Sequence, residues 1–158
     1  CCDKNSSDMY ICVYSKYMKG LSDSGIEDGY IIRIDSDLNC HRLDMPSDKI
    51  YNFQLTEKYI YYTIYDPLYY KMTPRGIPCI EENGNKIYRA SRDNTAEGEL
   101  IFDGREELFF RNYFITGNYI YIDYKQFIDE AGMNWFRNVG VTARIDMVNG
   151  TIKWLNLD

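Results

Sequence analysis

Two strand-like segments recur along this chain in a fixed order, and that order limits what it can fold into. The first kind is rich in tyrosine and isoleucine and occurs at Met9–Tyr14, Tyr59–Tyr65 and Tyr119–Tyr124. Tyr59-Ile60-Tyr61-Tyr62-Thr63-Ile64-Tyr65 is aromatic and β-branched throughout, with no glycine or proline, and so predicts a strand. The second kind carries an arginine: Ile31-Ile32-Arg33-Ile34-Asp35, Ile87-Tyr88-Arg89-Ala90-Ser91 and Thr142-Ala143-Arg144-Ile145-Asp146. The arginines lie 56 and then 55 residues apart. The aromatic segments are spaced less evenly, as expected if the loops joining the two anchors differ in length.

Each arginine strand is followed by turn chemistry and a further apolar strand. Asn149-Gly150 is a strong hairpin signal ahead of Thr151–Leu155. Residues 92–98 lead into Glu99–Phe102, and Ser36–Asn39 into Cys40–Leu43. One more strand precedes two of the aromatic segments, at Ile50–Leu55 and Leu108–Phe114. The pattern predicts an all-β chain of four-stranded antiparallel units, strands A to D, at the period of a β-propeller blade. The units run over about 9–48, 49–104 and 105–158, behind a polar tether at 1–8. With strand A absent from the first, about two and three-quarter blades of a partial propeller are expected. Propellers close with more blades than that, so completion is expected from further blades of a longer polypeptide or from self-association of copies. The longer polypeptide is the preferred expectation, because terminal repeats need a cap and none is visible.

The charge balance narrows the partners. A net charge of -6 at pH 7 argues against nucleic acid, whose backbone calls for a basic face. No apolar run approaches the length of about 20 residues that a spanning helix needs, so no transmembrane segment is expected. The 16 tyrosines suit strands buried at one end and wet at the other. None of the five cysteines forms a C-x-x-C pair. Cys1 is a candidate lipidation residue of an exported, membrane-anchored lipoprotein, with 1–8 as its tether; a boundary without that meaning is the alternative. Cys12, Cys40 and Cys79 are expected as buried thiols, with one disulfide of undetermined pairing as the alternative.

Ile60-Tyr61-Tyr62-Thr63 followed by Lys86-Ile87-Tyr88-Arg89-Ala90-Ser91-Arg92-Asp93 resembles the Y-W-T-D blade repeat of low-density-lipoprotein-receptor-type propellers. The sequence is more similar still to the tyrosine-rich bacterial propeller domains named after that family, often exported and of unknown function. Tyr62 stands where the repeat has Trp, Ile64 where it has Asp, and Asn94 where it has Gly. The other two units keep only the Tyr-Ile core and the Arg-x-Asp end. The resemblance implies the architecture and an extracytoplasmic location; it implies no ligand, since one such fold hosts many functions.

Within a blade the B–C loops emerge at one face of the disc, and here they are the long ones: Met18–Gly29, Asp66–Gly84 and Lys125–Val141. Long loops on a rigid scaffold are where binding residues concentrate. Tyr69, Tyr70 and Arg75 in the second, with Trp135, Phe136 and Arg137 in the third, are therefore the candidate binding residues for a protein or carbohydrate ligand. The alternative for Trp135 and Phe136 is a local minicore against their own blade. Arg33, Arg89 and Arg144 read as structural, each holding a turn carbonyl or an acidic neighbour between blades, rather than as a functional ring.

No residue is assigned a catalytic or metal-binding role, and no cofactor is expected. Asp35-Ser36-Asp37-Leu38-Asn39 begins like a calcium loop, but Cys40 stands where glycine is needed and Pro46 where the bidentate glutamate belongs. Asp103, Glu106 and Glu107 read as a solvated turn. His41, the single histidine, has no partner histidine or nucleophile elbow with which to build a hydrolase site. Three functions compete. The first is a non-enzymatic binding scaffold. The second is a lactonase- or lyase-like propeller enzyme using polar residues of the inner strands, such as Tyr51, Asn52, Gln54, Arg111, Asn112 and Tyr113. The third is a structural self-assembly unit.

Overall fold

The computed structural model describes residues 7–18, 24–64, 70–72, 78–80, 86–104, 109–130 and 133–156. All regular structure among them is β-strand. The first sheet is β1 (Met9–Met18), β2 (Ser24–Ile34) and β3 (Cys40–Arg42), in that order. The second takes β4 (Ile50–Leu55), β5 (Tyr59–Ile64), β8 (Lys86–Ser91) and β9 (Gly98–Asp103). Between β5 and β8 a two-stranded ribbon is formed by β6 (Tyr70–Met72) and β7 (Pro78–Ile80). The third sheet is β10 (Phe109–Thr116), β11 (Tyr119–Glu130), β12 (Met133–Asp146) and β13 (Ile152–Asn156). Every strand pairing reported within these sheets is antiparallel.

One register runs through all three sheets. Tyr10 lies opposite Arg33, Tyr61 opposite Arg89, and Tyr121 opposite Arg144. Directly paired residues of an antiparallel ladder point to the same face, so each sheet has one face carrying a Tyr–Arg pair. Its other face carries an apolar quartet. The quartet is Met9, Ile11, Ile32 and Ile34 in the first sheet, and Ile60, Tyr62, Tyr88 and Ala90 in the second. In the third it is Ile120, Ile122, Ala143 and Ile145. The turns repeat as well: Arg92 N donates to Lys58 O at 3.0 Å, and Met147 N to Asn118 O at 2.9 Å, at matching positions of the second and third sheets.

The chain divides into two compact units, one holding the first sheet and most of the second, the other holding the third. In the former, the Tyr–Arg face of the first sheet packs on the quartet face of the second. Tyr10 and Ile31 from one side meet Ile50, Ile60, Tyr62 and Ala90 from the other, with Cys12, Phe53, Leu55, Ile64 and Tyr88 packed around them. Burying each large apolar side chain of such a core contributes about 1.5–3 kcal/mol. The two sheets close on one another at Gly29, whose amide donates to Asp48 O at 2.5 Å. A Cβ on Gly29 would fall inside the carbonyl oxygen of Ile50, so only glycine lets β2 approach β4 this closely. In the other unit Ile120, Ile122 and Ala143 are fully buried, and Phe110 and Ile115 nearly so.

The B–C connections differ from the expected loops. In the first and third sheets they are continuations of the strands themselves. β1 and β2 stay paired out to Met18 opposite Ser24, and β11 and β12 out to Glu130 opposite Met133. Each passes a register shift, between Ser15 and Lys16 and between Asp123 and Lys125, and then pairs on as a two-stranded ribbon. A bulge increases local twist and re-aims a strand without ending its pairing. The paired residues beyond each shift therefore continue from their sheets as two-stranded ribbons.

Candidate functional site

The two ends of the sheets differ in kind. One end carries the tight A–B and C–D turns; the other carries the ribbons. At the turn end of the first sheet, the carboxylate of Asp35 organises its own hairpin. Its Oδ1 accepts from the amides of Asp37 and Asn39 at 3.0 and 2.9 Å, and its Oδ2 lies 2.9 Å from His41 Nε2. The His41 contact and these amides hold the Asp35 carboxyl down at about 2. Leu38, at φ 66°, completes the turn. The aspartate that opens a calcium-like sequence is thus consumed by turn and histidine contacts. Among the described residues no group of three His, Cys, Asp or Glu side chains could hold a metal ion.

The turn end of the second sheet is centred on Arg92. Its Nη1 donates to Glu57 O at 3.2 Å and lies 3.5 Å from Thr56 O, tying the C–D turn to the A–B turn. Its Nη2 donates to the hydroxyl of Tyr10 in the first sheet at 3.1 Å. Thr95 Oγ1 adds a second tie, donating to Asp44 O at 2.7 Å. This end is therefore spent on holding two sheets together. Arg92 escaped the sequence reading as a functional residue because the matching positions hold Ser36 and Met147, so no repeat marks it.

Two of the three repeated arginines make their contacts within their own sheets. Arg89 Nε donates to Glu99 Oε1 at 2.6 Å, Nη2 reaches the same oxygen, and the guanidinium lies 4.5 Å over the Tyr59 ring. Arg144 lies 4.6 Å over Tyr119, two residues before its paired Tyr121. The Nε of Arg33 is buried and meets no hydrogen-bond partner among the described residues. The acidic neighbour of Arg89 stands on the adjacent strand of the same sheet. Cation–π contact with the tyrosine two residues before the paired one, rather than a turn carbonyl, is what Arg89 and Arg144 share.

The ribbon end holds the predicted binding residues. Tyr70 sits on β6, opposite Ile80. Trp135, Phe136 and Arg137 sit on β12, opposite Ile128, Phe127 and Gln126. These four are placed by backbone, and their side chains lie outside the described part of the structure. Tyr69 and Arg75 lie outside the described residues, as do Cys1 and Glu106 and Glu107; Asp103 is exposed at the end of β9. The register brings Trp135, Phe136 and Arg137 onto consecutive rungs of one ribbon. Of the inner-strand polar residues, Tyr51, Asn52, Gln54 and Tyr113 are half-buried and Asn112 is exposed, while the Arg111 side chain is outside the described part.

Cys12 and Cys40 are free thiols; Cys40 is exposed, where burial was expected. Edge strand β3 is exposed along all three residues, which leaves nothing to cover it. Cys12 is covered: its Sγ donates to Ile50 O at 3.4 Å, and burial pushes the thiol up to about 11. No helix among the described residues is long and apolar enough to cross a membrane. Comparison with protein-family models, curated proteins and solved structures finds no match.

Proposed function

We propose that this chain is a run of β-propeller blades acting as a non-enzymatic binding scaffold outside the cytoplasm, and that its B–C ribbons meet a protein or glycan partner. The observation that carries this reading is the contrast between the two ends. The turn end spends its carboxylate, its histidine and Arg92 on internal hydrogen bonds. At the other end the β11–β12 hairpin runs on past its sheet, with Trp135, Phe136 and Arg137 on successive rungs. A rigid sheet that extends an aromatic and arginine-bearing ribbon is suited to recognition, since such residues dominate binding energy when they anchor a contact. The shared Tyr–Arg register and the likeness to tyrosine-rich exported propellers support the blade reading and the location.

The test trims one ribbon and leaves its sheet. Asp123 and Thr142 are paired, so replacing residues 124–141 with Asn-Gly closes β11 on β12 as a tight hairpin. The trimmed chain is expected to fold, by circular dichroism, and to lose binding that the intact chain shows on glycan and peptide arrays. Equal binding by both chains, or hydrolytic or lyase turnover of an array member, would overturn the reading.

A further inference from the structure

Each sheet ends on its strand D, and the three such strands present different edges. β3 is three residues long and carries His41 and Arg42. β13 carries Lys153 between Ile152 and Trp154. Shortness and basic side chains are ordinary means by which an edge strand is kept from pairing with another chain. β9 has neither. Gly98-Glu99-Leu100-Ile101-Phe102-Asp103 is six residues long and holds no lysine, arginine or proline. Among the described strands of its sheet, β8 is its one neighbour. Gly98, Glu99 and Leu100 are exposed, Leu100 at 48%. The outward-pointing amides and carbonyls of such a strand are a template for one more strand.

The side chains along this edge say what kind of strand fits. Glu99 bonds Arg89, which sets it on the Tyr–Arg face of the sheet, and alternation sets Leu100 on the other face. Both guanidinium contacts go to one oxygen, Oε1; Oε2 accepts no hydrogen bond among the described residues. The Glu99 side chain is 59% exposed. Every charge from Glu97 to Asp103 is negative, on a chain of net charge -6. A second copy of β9 would bring a second set of carboxylates to the same seam, whereas a basic strand meets them with opposite charge. We propose that the outer edge of β9 takes, as an added strand, an extended segment of another protein in which basic and β-branched residues alternate. Its lysines or arginines lie beside Glu99 and its apolar side chains beside Leu100, while its backbone bonds the amides and carbonyls that β9 turns outward. This edge is independent of what the ribbons bind.

The probe is a fluorescein-labelled peptide of alternating lysine and valine, as long as β9, read by fluorescence anisotropy on the full chain. It is expected to bind saturably, and more weakly as salt rises. Two control peptides are expected not to bind: the same sequence N-methylated at every residue, which keeps its charges but cannot donate to an edge, and a glutamate–valine peptide of equal length. Leu100→Lys, at a side chain already exposed, is expected to weaken binding about tenfold, because it sets a charge against the valines and gives the edge the lysine that β13 has. Val148→Lys adds the same charge at a residue 76% exposed in the C–D turn of the third sheet, and is expected to leave binding unchanged. Circular dichroism checks that both variants fold. The chain trimmed over 124–141 is expected to bind the peptide as the intact chain does, which separates this edge from the ribbons. No binding of the lysine–valine peptide, equal binding of either control peptide, or undiminished binding by Leu100→Lys overturns the proposal. So does loss of binding in the trimmed chain. A chain that sediments as a dimer, and as a monomer once it carries Leu100→Lys, overturns it too, with a second copy as the occupant.

Discussion

Arg92 Nη2 donates to Tyr10 Oη at 3.1 Å, from the C–D turn of the second sheet to the first strand of the first, 82 residues back along the chain. The same guanidinium holds the Glu57 carbonyl, and its Cζ lies 5.5 Å from the Tyr10 ring centre. It therefore joins two turns and a neighbouring sheet with one planar group, which a lysine ammonium cannot reproduce. Arg92→Ala is expected to cost about 1–2 kcal/mol, since hydrogen bonds from a charged donor contribute more than neutral ones. Arg92→Lys should recover less than half of that loss. A double-mutant cycle with Tyr10→Phe in urea melts should give a coupling of about 0.5–1.5 kcal/mol; additive single effects would show that the contact contributes nothing.

Gly29→Ala is expected to be more damaging than any surface substitution. The new methyl group meets backbone at Ile50, with its carbonyl carbon at 3.0 Å and its nitrogen at 3.1 Å, and neither can swing aside as a side chain would. Overpacking of this sort costs about 1–3 kcal/mol where the neighbours can adjust, and the upper end applies here. Alanine at Gly150 is the matched control, because nothing lies within 4 Å and only its φ of +70° resists. Its loss should be near 1 kcal/mol, the ordinary cost of a left-handed non-glycine residue. Chemical denaturation of both variants ranks them.

Thr63→Val is expected to stabilise the protein. Thr63 is fully buried and its hydroxyl has no hydrogen-bond partner among the described residues. Leaving a buried polar group unpaired costs about 1–3 kcal/mol, and valine keeps the β-branched shape at that strand position. A gain of about 1 kcal/mol in a urea melt is the expected result; a loss would mean that the hydroxyl makes a contact in solution.

Stability should fall at both ends of the pH scale for identifiable groups. Burial raises the Cys12 thiol from 9.0 to about 11, and burial with the neighbouring Tyr88 raises the Tyr62 phenol from 10.0 to about 12. The folded state favours the neutral form of both. Their contribution is complete below about pH 9 and is lost as pH climbs through 11 and 12. Cys12→Val should remove the lower part of that alkaline decline in thermal melts. The Asp35 shift has the opposite sign: its contribution is present above pH 3.8 and is lost as pH falls towards 2. At neutral pH the raised Cys12 value leaves about a hundredfold less thiolate than an ordinary cysteine has. Iodoacetamide labelling read by peptide mass should therefore modify exposed Cys40 long before Cys12.

The strand cores were legible because the residues that make them are locally unambiguous. Tyr59–Ile64 and Lys86–Ser91 have β-branched and aromatic residues on both faces and turn residues at both ends. The Tyr–Arg partners could be placed in order from spacing, though not in register, because pairing depends on turn geometry that spacing does not report. The ribbons were illegible for a physical reason. Asp129, Glu130 and Asn134 have poor strand propensity, and their pairing is imposed by continuation from Tyr121 opposite Arg144. Aromatic content pointed to Trp135 and Phe136, and the structure gives them a strand and a register. Arg92 was present in the quoted blade motif, yet its bridging role depends on which sheet lies against which, and a single unit of sequence does not contain that.

A ribbon two strands wide has little stability of its own, so Gln126–Glu130 and Met133–Arg137 draw their order from the sheet at their base. Substitutions near the tip then act on affinity with almost no penalty to folding, whereas substitutions at Tyr121 or Arg144 act on both. A lineage that keeps the base can exchange the tip freely, and the same scaffold can change its target many times over while its melting behaviour stays constant.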